Sequence, residues 1–154
     1  MAALRFGRAL REGDLTEAEA ILDTRDDDEE DEWLLRFWRG RYLLAAGRTA
    51  DAVSEFRASL ETCELYADGW LALAQAEEAL GDEPTALDAY RKAVTMKPDL
   101  VAARTALFSL LDRRGEHAEA LEHLRMACRY DPRNQSLLET CLRYMAEHGS
   151  RQQA

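Results

Sequence analysis

The chain contains no long apolar run and little cysteine. No segment approaches the length that a membrane-spanning helix needs, and the residues after Met1 include no apolar stretch of the kind found in signal peptides. We therefore expect a cytoplasmic protein. The three cysteines are odd in number and lack the spacing of a metal site, which favours reduced thiols over a disulfide framework.

Basic side chains are scarce relative to acidic ones. Lys and Arg total 20 against 30 Asp and Glu, so the net charge is −10. Such a surface argues against nucleic-acid binding, which depends on neutralising phosphates, and against anionic membranes. The shortage of basic side chains lies in residues 1–100, which hold 12 basic and 23 acidic side chains. Residues 101–154 hold 8 basic and 7 acidic ones.

The sequence also lacks the motifs that carry catalysis. It has no H-E-x-x-H motif and no glycine-rich phosphate loop. His117 and His123 lie six residues apart on one predicted helix, about 240° around its axis, so they cannot converge on a metal. We expect both histidines to face solvent and Cys128 and Cys141 to lie in the core. The chain is predicted not to be an enzyme, with no catalytic residue, metal or cofactor.

What the sequence does contain is a repeat of 34 residues. Glycine recurs at this interval, at Gly13, Gly47, Gly81, Gly115 and Gly149. In the same register a small residue and then a large apolar one recur in every unit, at Ala18, Ala52, Ala86 and Ala120 and at Leu22, Phe56, Tyr90 and Leu124. A fixed period of this length is typical of arrays in which each unit buries its apolar face against its neighbours.

The most regular unit runs from Ala67 to Leu100. Counted from Ala67, its key positions are Trp70 at four, Leu73 at seven, Ala74 at eight, Gly81 at fifteen, Ala86 at twenty, Tyr90 at twenty-four, Ala93 at twenty-seven and Pro98 at thirty-two. This series resembles the tetratricopeptide repeat, a helix-turn-helix unit. It departs at position eleven, where the family usually has an aromatic and this chain has Glu77. The resemblance implies that Trp70 is buried between helices.

The resemblance implies an all-α fold, a right-handed superhelical array of antiparallel helix pairs, over a single domain of residues 1–154. Residues 1–32 would form a truncated first repeat with an acidic connection, followed by repeats at 33–66, 67–100 and 101–134 and a capping helix at 135–149. The unit at 33–66 departs from the family at Arg36 and Arg39 but keeps Gly40 at position eight.

Side-chain oxygens are placed to cap three helices, at Asp14, Asp82 and Asn134. The last helix is predicted over Gln135–Glu147. Its apolar residues should form one stripe that covers the end of the array, namely Leu137, Leu138, Cys141, Leu142 and Met145.

In the family, the first helices of successive repeats line a concave groove that binds partner proteins. When the groove positions of the family are carried onto this chain and neighbouring residues are added, the resemblance implies a groove of eleven residues: Leu34, Phe37, Trp38, Arg41, Leu71, Gln75, Glu78, Thr105, Ser109, Asp112 and Arg143. Some members hold the terminal carboxylate of a chaperone peptide with Lys and Asn or Arg at positions five and nine. Here those positions hold Phe37, Leu71 and Thr105, then Arg41, Gln75 and Ser109, so that clamp is absent.

Two features have alternative interpretations. Phe37 and Trp38 either anchor a partner or pack against the first repeat. The acidic run at 23–32 is either a solvated connection or a docking site for a basic segment.

The predicted function is a protein-interaction adaptor whose partner is a protein or peptide segment that is apolar, basic or both, with no nucleic acid and no membrane. The alternative is a small secretion-type chaperone that holds a hydrophobic cargo protein.

Overall fold

The computed structural model of the chain describes residues 2–23 and 32–148, with side chains from Arg5 onward. These residues form nine α-helices and no strand: α1 (Ala2–Glu12), α2 (Leu15–Asp23), α3 (Glu32–Ala45), α4 (Thr49–Thr62), α5 (Ala67–Leu80), α6 (Glu83–Met96), α7 (Val101–Arg113), α8 (His117–Tyr130) and α9 (Gln135–His148). The predicted all-α fold of paired helices is confirmed.

Periodic glycines end the first helix of each pair. Gly13, Gly47, Gly81 and Gly115 all have positive φ, between 73° and 83°, which is the left-handed conformation that glycine adopts without a steric penalty. After α5, for example, the amides of Gly81 and Asp82 donate to the carbonyls of Glu78 and Glu77, both at 3.0 Å. The fifth glycine, Gly149, lies outside the described residues.

The helices α2, α6 and α9 begin with the predicted side-chain caps. Asp14 accepts the Glu17 amide at 2.9 Å, and Asp82 accepts the Thr85 amide at 3.2 Å. Asn134 accepts the amide of Leu137 at 3.1 Å. Each carboxylate or amide oxygen satisfies a backbone N–H that has no partner within its helix.

The chain divides into two compact units, Met1–Ala86 and Leu87–Ala154, with the boundary inside α6. In the first unit, α1 packs on α2, α2 on α3, α3 on α4 and α4 on α5. Its core contains many aromatic side chains, and the large buried members are Phe6, Ile21, Leu22, Leu35, Phe37, Trp38, Val53, Phe56, Leu60 and Leu73.

In the second unit, α7 packs on α8 and α8 on α9. Leucines dominate the buried side chains of these helices, with Leu107, Leu110, Leu111 and Leu124 all fully buried. Repeat positions twenty and twenty-four, which hold Ala120 and Leu124 here, are buried as the register predicts.

The stripe predicted for α9 is wrong in part. Leu137 and Cys141 are buried, but Leu138 is 36% exposed and Leu142 is 65% exposed. The third buried residue is Tyr144, which shares one face of the helix with Leu137 and Cys141 at spacings of four and three. The helix α9 therefore carries apolar side chains on its accessible face as well as on its buried face.

Candidate functional site

The two aromatic residues predicted for the groove on α3 are buried in the first unit. Phe37 and Trp38 are each 6% exposed. The Trp38 ring stacks on Phe6, with centroids 5.2 Å apart and planes 9° from parallel. Phe37 meets Tyr66 edge to face, with centroids 4.9 Å apart. Of the two interpretations, this burial favours packing, since little of either ring is left for a partner to contact.

Accessible side chains on α3 lie beside these aromatics. Leu34 is half-buried and Arg41 is exposed. The guanidinium carbon of Arg41 lies 6.0 Å from the centroid of Phe37, at the outer limit of a cation–π contact. Arg41 therefore presents a positive charge next to the aromatic core.

On α5, buried and accessible residues alternate along the predicted binding face. Ala72, Leu73 and Ala76 are buried, whereas Leu71 and Glu78 are half-buried and Gln75 is exposed. Leu71 and Gln75 are one turn apart and share a face. The helix thus offers an apolar and a polar side chain outside the core.

An ion pair explains why the chain can have Glu77 at the position where the family usually has an aromatic residue. Glu77 is 3% exposed, and its carboxylate accepts a hydrogen bond from Arg57 of α4. A buried carboxylate is tolerated only when it is paired. The Arg57 side chain is 55% exposed, so water still solvates part of the guanidinium.

Arg36 fills another position at which the chain departs from the family. Its guanidinium donates to Glu32 at 2.6 Å and lies 3.9 Å from Glu55. The hydrogen bond to Glu32 raises the pKa of Arg36, with smaller contributions from Glu55 and Glu61. An exposed ion pair replaces the aromatic residue that Trp70 supplies in the next repeat.

Trp70 packs against the core of the first unit but is half-buried, so the expected burial between helices is only partial. Its indole N–H donates to the Glu64 carbonyl at 2.8 Å, which holds the ring near the connection before α5. It borders an open surface cavity of about 400 Å³ that is also lined by Arg57, Leu60, Glu61, Glu64, Leu73 and Thr85. Sequence reasoning did not predict this cavity, because its lining comes from three helices and a connection.

In the second unit, the predicted residues of α7 are largely occupied by local hydrogen bonds. Thr105 is half-buried, and its hydroxyl donates to the Val101 and Ala102 carbonyls. The exposed Ser109 hydroxyl donates to the Thr105 carbonyl at 3.1 Å. Arg143 of α9 is exposed.

Asp112, at the end of α7, belongs to a polar cluster that sequence reasoning missed. The Tyr144 hydroxyl donates to Asp112 Oδ1 at 2.8 Å, and His117 Nδ1 lies 3.1 Å from the same oxygen. His148 stacks on His117 with centroids 4.2 Å apart. Burial raises the pKa of Tyr144, and the neighbouring Asp112 raises it further. The two histidines are 31 residues apart, so no local spacing signals the cluster.

His123 is less exposed than the sequence predicts, whereas of the two cysteines predicted to lie in the core only Cys141 is buried. The His123 side chain is only 15% exposed, so the prediction that it faces solvent is wrong. Burial lowers the pKa of His123, and the charge of Arg104 lowers it further. Cys141 is buried and Cys128 half-buried. Burial beside Cys141 raises the pKa of Cys128 to about 11, which keeps the thiol protonated and unreactive at neutral pH.

Among the described helices, none is long and apolar enough to cross a membrane.

Asp112, His117 and His148 form the one group in the described part of the chain whose ligand atoms are placed to share a metal ion.

The sequence matches the tetratricopeptide repeat family in three overlapping stretches, residues 4–67, 39–101 and 71–136. A comparison with curated proteins finds no match.

Solved structures of similar fold include the MamA protein, with a TM-score of 0.76 and 16% sequence identity, covering 99% of this chain and 83% of MamA. The first tetratricopeptide domain of Spaghetti (RPAP3), bound to the HSP90 peptide SRMEEVD, has a TM-score of 0.69 and 13% identity, covering 76% of this chain and 93% of that one. The Arabidopsis OM64 domain has a TM-score of 0.68 and 16% identity, covering 77% and 97%. At these identities the likeness concerns the fold alone. Members of the tetratricopeptide repeat family are generally interaction modules without catalytic activity.

Proposed function

Because the chain belongs to the tetratricopeptide repeat family, we propose that it is a cytoplasmic, non-enzymatic adaptor that binds a segment of a partner protein on two first helices of its repeats, α3 and α5. The observation that carries the proposal is the surface of α5. Leu73 and Ala76 are buried in the first unit, while Leu71 and Gln75 remain accessible one turn apart.

Such a surface suits a segment with apolar anchors. The accessible positions of a helix that packs through one face are usually polar. Leu71 instead adds apolar area outside the core, and Gln75 beside it can donate and accept hydrogen bonds. Leu34 and Arg41 on α3 extend the proposed surface in the same unit.

The charge of the chain favours a basic partner. The net charge of −10 attracts positively charged segments and speeds their encounter at low salt. The acidic run at 23–32 is part of this proposal, although residues 24–31 lie outside the described residues.

A partner like the peptide bound by RPAP3 does not fit this proposal. That peptide, SRMEEVD, carries three acidic side chains. The net negative charge of this chain would repel it. Positions five and nine on this chain supply one cation, Arg41, in place of the Lys and Asn or Arg that the clamp uses.

The proposal is tested by affinity capture of partners from cell extract with the full chain, followed by binding measurements on two matched variants. Leu71→Lys places a charge on the proposed surface and should weaken binding of a captured partner at least about tenfold, as loss of an apolar anchor does. Leu80→Lys makes the same change at the end of the same helix, where the leucine is 50% exposed, and should leave binding unchanged.

Circular dichroism of both variants checks that each remains folded. Equal binding by wild type and Leu71→Lys would contradict the proposed surface. Loss of binding in Leu80→Lys alone would move the site to the other end of α5.

The chaperone alternative is supported by apolar side chains left accessible, since Leu65 is 84% exposed and Leu142 is 65% exposed. It predicts that a hydrophobic cargo is soluble when co-expressed with this chain and insoluble without it. An adaptor would bind a partner that is soluble by itself.

A further inference from the structure

The cluster at the end of α7 brings together three side chains of the kinds that bind transition metals. Asp112 lies near the end of α7, His117 begins α8, and His148 ends α9. One ligand atom from each lies within 4.8 Å of the other two. All three residues are half-buried, so they are neither fully hydrated nor sealed from an incoming ion.

His117 and Asp112, which are hydrogen-bonded to each other, already have the separation that metal ligands adopt. Bonds of about 2.0–2.2 Å to imidazole nitrogen and carboxylate oxygen, at tetrahedral or octahedral angles, put the two donor atoms about 2.9–3.4 Å apart. His117 Nδ1 and Asp112 Oδ1 are 3.1 Å apart. The donor atom of His148 lies within 4.8 Å of both, so a shift of at most about 1.5 Å completes the same geometry.

His148 has an unsatisfied nitrogen. Its Nδ1 is buried and has no hydrogen-bond partner, which is unfavourable for a polar atom in the protein interior. Its other ring nitrogen, Nε2, lies 4.0 Å from the Glu147 carboxylate.

Tyr144 orients the carboxylate from outside the ligand set. Its hydroxyl donates to Asp112 Oδ1 at 2.8 Å and lies 2.9 Å from His117 Nδ1. A metal bound to His117 Nδ1 would replace the contact between this nitrogen and the Tyr144 hydroxyl. The hydrogen bond from Tyr144 to Asp112 would remain. The tyrosine would then act as the supporting hydrogen-bond donor that metal-bound carboxylates usually have.

An ion can reach the cluster from solvent. His117 and His148 line an open surface cavity of about 360 Å³, together with Gly115, Glu116, Ala118, Glu119 and Leu121. The acidic members of this lining are already paired, Glu116 with Arg114 at 2.6 Å and Glu119 with Arg91 at 2.8 Å, so the charge that attracts a cation is that of Asp112.

We propose that Asp112, His117 and His148 form a binding site for a divalent transition metal ion, with water in the remaining coordination positions. Two imidazoles and one carboxylate suit Zn²⁺, Co²⁺ or Ni²⁺, whereas Mg²⁺ and Ca²⁺ prefer oxygen ligands alone. The bound ion links the ends of α7, α8 and α9 within the second unit. The site is independent of the proposed partner-binding surface on α3 and α5.

The test is a titration of the full chain, without a polyhistidine tag, with Zn²⁺ by calorimetry and with Co²⁺ by visible absorption. We expect one saturable ion per chain and an increase in melting temperature with Zn²⁺ that a chelator reverses. His148→Ala and Asp112→Asn should each weaken binding at least about tenfold, because the first removes one of three protein ligands and the second removes the negative charge of another.

His123→Gln is the matched control, since this histidine lies on α8 outside the cluster and should not affect binding. Circular dichroism without metal verifies that the variants are folded. Three results would overturn the site: no saturable binding, unchanged affinity in His148→Ala, or an intense near-ultraviolet thiolate-to-cobalt band, which would place the ion on cysteine instead.

Discussion

At the scale of single residues, Gly40 marks the closest approach of α3 to α4. A Cβ atom at this position would lie 2.5 Å from Cε1 and 2.7 Å from Cδ1 of Phe56. Phe56 is fully buried and its ring cannot move aside. Gly40→Ala should therefore lower the free energy of unfolding by about 1–3 kcal/mol, the usual effect of overpacking a core. Urea denaturation measures this change.

Gly7 offers the matched control in α1. A Cβ there would meet only the Arg11 side chain, at 3.8 Å, which is ordinary contact. Gly7→Ala should raise the free energy of unfolding by about 0.5–1 kcal/mol, because alanine loses less backbone entropy in a helix. If the two variants shift stability in the same direction, close packing at Gly40 is not the cause.

His123 makes stability depend on pH in a definite direction. Burial and the charge of Arg104 lower its pKa in the folded protein, while Glu119 acts weakly in the opposite sense. In the unfolded chain the pKa is about 6.5. As the pH falls through that value towards the lower folded pKa, the unfolded state binds the proton first, so stability decreases.

The variant His123→Gln removes this contribution. The free energy of unfolding of the wild type, relative to that of His123→Gln, should be smaller at about pH 5.5 than at about pH 7.5. Urea titrations of both proteins at the two pH values give the difference directly, and carboxylates that titrate equally in both proteins cancel. A difference that is constant with pH would mean that His123 is as readily protonated in the folded state.

At the scale of elements, α9 shows how a helix selects its buried face. Leu137 is 9% exposed and Leu142 is 65% exposed, although both belong to the apolar stripe predicted from the sequence. Leu137→Ala should lower the free energy of unfolding by about 2–4 kcal/mol, whereas Leu142→Ala should change it by less than about 0.5 kcal/mol.

The same substitution at two positions of one helix makes this comparison internally controlled. Denaturant titration of the two variants is sufficient, since helix propensity changes equally in both. If Leu142→Ala were the more destabilising, Leu142 rather than Leu137 would face α8.

At the scale of the whole molecule, like charges repel. The net charge of −10 opposes compaction of the chain. Raising the salt concentration from about 10 mM to about 150 mM shortens the Debye length from about 30 Å to about 8 Å and screens this repulsion. The melting temperature should therefore rise with salt. Exposed ion pairs such as Arg48–Asp51 act in the opposite direction but contribute little.

Thermal denaturation followed by circular dichroism measures this effect, and NaCl and KCl should act equally if ionic strength is the cause. A melting temperature that falls with either salt would show that ion pairs outweigh repulsion.

The sequence by itself determined the helix pairs and their register. Glycine at intervals of 34 residues sets where the first helices end, because only glycine adopts a left-handed conformation there freely. Asp14, Asp82 and Asn134 set where the next helices begin. These signals are local, since each acts through backbone groups within a few residues, and they can be read without knowing the tertiary structure.

Only the tertiary structure decided how individual side chains are used. The pairing of Glu77 with Arg57, the stacking of Trp38 on Phe6 and the burial of Tyr144 in place of Leu142 depend on distances between helices. The cluster of Asp112, His117 and His148 likewise joins the ends of three helices. Contacts of this kind are set by the packing of one helix against another, which leaves no periodic trace in the sequence.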